Sequence, residues 1–327
     1  MDWDKALEQT NKRAEDYEDI NLEVKQVIGL NYSANNDIWG KDTVTLTIGD
    51  EDKVLTFTSW SYSQLCTKLN IPCGYMKRCS ANLRDENMLE WIRAYTKSLL
   101  LRTSKSKSEI RAILSNKYLV LNDNQLLEML QKKLSSKTSF DTMKIDDGMS
   151  QFFLSDTDIL EVDDLDQQFR VGTVIRNSEI GKLAFQGSIC LTRLDSRGHT
   201  ISYQTVQQKL STSRKHIGSA HSDSFRFLND VEGLVGLLPE FRENARISLE
   251  RAATQKPIRS DLDKIKAKVE DIFGMAWANE KWPEIEINKN LTWFNLADLI
   301  SIKATEENLP EMTRVRGARL SGALLGI

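Results

Sequence analysis

The chain has 327 residues, of which 40% are hydrophobic and 28% charged, and a formal net charge of −3. These are ordinary globular values with room for one large or two modest packed domains, and no apolar run approaches the length of a membrane span, so a membrane partner is excluded. Four cysteines, Cys66, Cys73, Cys79 and Cys190, match the spacing of neither a zinc site nor a disulfide framework and read as reduced core thiols.

Residues 1–22 are acidic and helix-prone and lack both the basic and the apolar region of a signal peptide, which predicts an N-terminal helical segment and a cytoplasmic protein. An α+β subdomain is expected over 23–138. Within it VTLTIGDEDKVLTFT reads as a β-hairpin with a polar turn, and Ser59 or Ser61 caps a helix that stops before Pro72. Leu83 to Leu101 is helical with a strand-like end. RAILSNKYLVLND then gives a strand, a turn and an Asn/Asp cap, followed by a helix carrying Leu126, Leu127, Leu130 and Leu134 on one face.

Residues 139–168 hold one Lys against nine Asp/Glu and read as an acidic linker or insertion. A β-hairpin and long-helix subdomain follows over 169–256. FRVGTVIRN and KLAFQGSICLTRLD pair across Ser-Glu-Ile-Gly, with Phe185 alternating into the core, and the amphipathic stretch from Ser222 to about Thr254 breaks or kinks at Pro239. Residues 257–327 form a helical region in which Leu262, Ile265, Val269, Ile272 and Phe273 make a stripe that needs burial, on the core or in a homo-oligomer. The fold class is therefore α+β, an antiparallel hairpin-rich sheet core backed by helices, with a helical C-terminal region.

Charge is distributed unevenly. Residues 65–118 carry eleven Lys/Arg and four Asp/Glu, and Phe169 to Gly218 carries eight Lys/Arg and two Asp/Glu. A single strand of nucleic acid is held by cations that displace counterions and by aromatic faces on which bases stack. The candidate nucleic-acid-binding residues are accordingly Arg170, Arg176, Lys182, Arg193, Arg197, Tyr203, Lys209, Arg214 and Lys215. Tyr203 is expected as a surface ring. Arg176 and Lys182 project from one end of the hairpin, and Ser211 to Lys215 form a mobile loop that closes over the same strand of nucleic acid.

Catalytic patterns are weaker. His199, His216 and His221 lack acidic or cysteine partners at metal-ligand spacing and read as surface histidines. Glu161, Asp163, Asp164 and Asp166 cluster in one segment, whereas two-metal chemistry needs carboxylates that converge. No Walker signature and no local nucleophile motif occurs, so no cofactor, metal or catalytic residue is assigned.

TSWSYSQLCTKLNIPCGYMKR, LLLRTSKSKSEIRAILSNKYLVLNDNQLL, VGTVIRNSEIGKLAF and LTWFNLADLISIKATEE with ARLSGALLG together resemble a family of phage- and plasmid-encoded proteins of unknown function, domain-of-unknown-function nine-three-two. The resemblance covers about residues 55–325. Its most specific parts are Arg111 to Ser115 with Tyr118 and Asp123, and Val174 to Ser178 with Gly181. It implies a mobile-element protein and brings no activity with it. The expectation is a DNA-metabolism protein that binds single-stranded DNA, in strand annealing or as a recombination accessory. The alternatives are a non-enzymatic interaction or structural protein that docks a partner, and a metal-dependent nuclease.

Overall fold

The computed structural model describes residues 2–23, 27–33, 43–48, 53–146, 148–196, 198–216 and 220–327. Among these, two six-stranded sheets carry the fold. Asp2 caps α1 (Trp3–Glu15), accepting from the Lys5 amide at 2.9 Å. The chain then runs as β1 (Tyr17–Leu22) along β5 (Leu99–Ser104), so residues 17–22 form an edge strand where a helical segment was expected. Ile20 and Leu22, two apart, reach the same core, which is strand and not helix spacing.

The first sheet also holds β2 (Val27–Ser33), β3 (Thr43–Ile48), β4 (Lys53–Phe57) and β6 (Glu109–Ser115), in the order β1-β5-β6-β4-β3-β2. The expected hairpin is β3–β4, with Leu46 opposite Leu55; its turn, 49–52, lies outside the described residues. Thr58, not Ser59 or Ser61, caps α2 (Ser59–Lys68), because its hydroxyl sits 3.0 Å from the Ser61 amide that donates to it. Asn70, at φ 57°, turns the chain ahead of Pro72. After α3 (Cys73–Arg78) and α4 (Ala81–Ala94) the chain returns through β5 to β6, which pairs parallel to β4 because the helices have carried it over the sheet.

Asn122 and Gln125 form a capping box at α5 (Asp123–Leu134). Its four predicted leucines are fully buried, and they pack on the second sheet. Each contributes about 1.5–3 kcal/mol of burial. That sheet contains β7 (Ser139–Ile145), β8 (Ser150–Val162), β9 (Leu165–Asn177), β10 (Phe185–Leu194) and β11 (Thr200–Gln204), antiparallel in the order β11-β10-β9-β8-β7, with β12 (Ser211–Arg214) on β10. The acidic stretch 139–168 is thus strand and not linker. Phe152, Leu154, Leu160 and Val162 of β8 enter the core, while Asp158 and Glu161 between them stay exposed.

Helices α6 (Ala220–Gly236) and α7 (Leu238–Thr254) cover this core and part at Leu237, just before Pro239, as the proline predicts. Then α8 (Arg259–Phe273), α9 (Met275–Ile287), α10 (Trp293–Lys303) and α11 (Glu311–Leu325) build a helical C-terminal core around Leu262, Ile265, Val269 and Trp282. Helix α11 lies so close to β11 that a Cβ on Gly322 would stand 2.1 Å from the Gln204 carbonyl oxygen. The fold is α+β, with sheets that are antiparallel apart from the β4–β6 pair and a helical C-terminal region. No described helix is long and apolar enough to cross a membrane.

Candidate functional site

The turn between β9 and β10 fastens the two sheets. Tyr118 Oη donates to the Ser178 carbonyl at 2.8 Å, Arg102 Nη1 to the Glu179 carbonyl at 2.7 Å, and Trp60 Nε1 and Gln64 Nε2 to the Ile180 carbonyl at 2.9 and 3.0 Å. The Glu179 carboxylate accepts from Arg111 Nη2 and from the Asp123 amide, both at 3.0 Å. Gly181 takes φ 73°, the left-handed conformation that favours glycine. Residues 60–64, 102–123 and 178–181 therefore meet here.

Asp123 sits beneath this turn, fully buried, receiving Asn177 Nδ2 at 2.8 Å and the Ser150 hydroxyl. Burial, and then the neighbouring Glu179, push its carboxyl up to about 7.

Outside the junction opens a cleft of about 810 Å³ whose walls include Arg13, Tyr17, Trp60, Lys107, Arg111 and Lys182. Four cations face two carboxylates, Asp16 and Glu109. Arg111 Cζ lies 3.6 Å over the Tyr17 ring and Lys182 Nζ 5.6 Å from the Trp60 ring. Lys107 and Lys182 are exposed, while Nη1 of Arg111 is buried with no hydrogen-bond partner among the described residues. Asp16 is held by the Ser104 hydroxyl and the Ser106 amide, which keep its carboxyl below the ordinary range. The local field thus favours an anion, and the half-buried Trp60 offers an aromatic surface beside it.

Of the residues expected to bind nucleic acid, Lys182 reaches this cleft. Lys209 and Lys215 are exposed elsewhere, and Arg170 is half exposed and paired with Asp141 at 3.3 Å. Arg197 lies outside the described residues. Tyr203 is a core ring with 0% exposure, correcting the expected surface ring. Its hydroxyl and Arg193 both bind Asp298 of α10, a helix distant in sequence that closes over β11. Arg176 is likewise internal, bonded to Gln151 and Gln204.

Ser211 to Arg214 form β12 instead of a mobile loop, and Arg214 pairs with Asp230 of α6 at 2.5 Å. Arg214 stands opposite Phe185 and Arg176 opposite Gln186, one residue on, so strand alternation sends the two arginines to opposite faces. His216 is also buried, stacked 5.0 Å from Tyr118 with neither ring nitrogen bonded among the described residues, and burial lowers it to about 4. His199 is exposed beside Asp195, and nothing is described of the His221 side chain.

Sequence reasoning flagged the positive balance of 65–118 but did not assign Arg13, Tyr17, Trp60, Lys107 or Arg111 to a surface. No family model, curated protein or solved structure matches the chain.

Proposed function

We propose that the chain is a mobile-element DNA-metabolism protein that holds single-stranded DNA in the cleft between its sheets. The observation that carries this reading is the set Arg13, Lys107, Arg111 and Lys182 beside Trp60 and Tyr17, in a chain whose overall charge is −3. Cations there replace counterions of a phosphate backbone, and Trp60 takes a base face. The phage and plasmid setting rests on the family resemblance.

Fluorescence anisotropy with single-stranded, duplex and RNA oligonucleotides, with and without Mg²⁺, tests the proposal. Binding should favour the single strand without Mg²⁺, and log K should fall with log salt at a slope of about −2, for roughly three phosphates. Absence of binding at low salt removes the reading. The second reading, a protein-docking role, is favoured by Ile258, Met275 and Ile287 on the C-terminal helices, exposed 65%, 67% and 77%. For a nuclease, the acids concerned, Glu161, Asp163, Asp164 and Asp166, lie at the end of β8, in the turn and at the start of β9, and Glu161 accepts from Gln168 Nε2 at 3.0 Å.

A further inference from the structure

The second sheet has an unbalanced set of cations on the face turned away from its main core. Arg176 is 1% exposed, and its guanidinium meets only neutral acceptors: Nε donates to Gln151 Oε1 at 3.3 Å and Nη2 to Gln204 Oε1, while Nη1 has no partner among the described residues. The charged group that acts on it most strongly is another cation, Arg319, and burial with that repulsion lowers it to about 9. An unpaired buried cation is costly, and amide dipoles offset that cost only in part.

A cavity of about 30 Å³ opens against the same two glutamines, lined by Lys144, Gln151, Ser202, Gln204, Ser301 and Arg314. The Lys144 side chain makes no hydrogen bond or ion pair among the described residues, and burial and Arg314 lower its ammonium. Arg314 gives one arm to Asp146 at 3.2 Å, and its Nε is without a partner among the described residues. Among the described residues the other acids nearby are engaged or distant, Glu306 by Lys303. Asp141 is taken by Ser155 and Arg170, Glu311 by Asp146, and Glu307 reaches Lys144 only as a through-space charge.

We propose that this cavity binds a small inorganic anion of chloride size, held by Lys144 and Arg314 over the Gln151 and Gln204 amides and balancing Arg176. The volume exceeds the roughly 10–15 Å³ that one water-sized guest needs, and Lys144 and Arg314 also line an adjoining open cleft of about 980 Å³ through which an ion enters. Two cations and no carboxylate line the cavity among the described residues, which selects an anion over a metal ion. Ser301 and Arg314 belong to α10 and α11, so the ion fastens the C-terminal helices to the sheet. This site is separate from the nucleic-acid cleft, and its test does not depend on that reading.

The full chain is unfolded thermally at constant ionic strength in sodium chloride, sodium bromide and sodium gluconate, whose anion is far larger than a halide. The transition should lie a few degrees higher in either halide. Crystals grown in bromide should show an anomalous peak between Lys144 and Arg314. Gln204→Glu supplies an internal carboxylate to Arg176 in the same shape, so its transition should no longer respond to halide and the bromide peak should disappear. Lys144→Met should likewise lose the response should Gln204→Glu fail to fold. Equal transitions in halide and gluconate, or a water in place of the bromide peak, overturn the proposal.

Discussion

Arg102 Nη1 donates to the backbone carbonyl of Glu179 at 2.7 Å, so a strand of the first sheet grips the turn that ends β9 of the second. The same guanidinium donates from Nε to Asp19 at 2.8 Å and from Nη2 to Asn122 Oδ1. One side chain thereby joins edge strand β1, the cap of α5 and the inter-sheet turn. The cleft outside depends on this knot, because Trp60 and Lys182 are placed by the Ile180 carbonyl and by the Ser178 hydroxyl, which accepts from the Lys182 amide at 2.9 Å.

Arg102→Met should therefore cost about 3 kcal/mol, the loss expected when one partner of a buried charged network is removed. Asp19 is one-third exposed and recovers water, so the penalty comes mostly from the Glu179 carbonyl and the Asn122 side chain. Urea titration followed by circular dichroism measures it. An unchanged midpoint would show that the two sheets hold together without this residue.

How far the sequence spoke depended on where each residue's partners lie. The α5 leucines, the β3–β4 hairpin and the break at Pro239 are set by neighbours a few positions away, and local periodicity revealed them. Arg176, Arg193 and Tyr203 are different. Their strands alternate as expected, but α10 and α11, about a hundred residues on, decide that their surroundings are covered. The acids of 139–168 masked an alternation whose apolar half is buried. The cleft was illegible for a related reason, since Arg13, Trp60, Lys107 and Lys182 come from four separate segments that only the tertiary fold brings together.

Lys107→Ala with Lys182→Ala should weaken single-strand binding and make the salt slope shallower by about 0.7 per lost phosphate contact. Both side chains are exposed, so the melting temperature should hold. Lys209→Ala with Lys215→Ala, on the basic segment outside the cleft, is the control and should leave affinity unchanged. The reverse ranking in an anisotropy titration would return the site to the 169–218 segment.

Asp123→Asn should change the alkaline side of the stability profile. The folded carboxyl is raised to about 7 from an ordinary 3.8, so its contribution is fully present below about pH 4 and is lost as pH rises through 7. Asparagine keeps an oxygen for Asn177 and a group for Ser150, and it removes the repulsion with Glu179. The variant's urea midpoint should exceed that of the wild type at pH 8 by more than at pH 5. A difference independent of pH would mean that Asp123 is ionised throughout.

His216→Phe tests the opposite slope. The buried imidazole is lowered to about 4 from 6.5, so the unfolded chain takes up a proton first and stability is lost as pH falls from 6.5 towards 4. The full effect is about 3 kcal/mol between pH 7 and pH 4, from roughly 1.4 kcal/mol per pH unit. Phenylalanine keeps the stack on Tyr118 and Phe185, whose ring centroid lies 3.7 Å away, and removes two buried nitrogens that have no partner among the described residues. Near pH 7 the variant should match or exceed the wild type by about 1 kcal/mol, because an unsatisfied buried polar group is lost. Its melting temperature should then fall less steeply on acidification. Parallel acid limbs for the two proteins would place the wild-type proton elsewhere and rule out His216 as the titrating group.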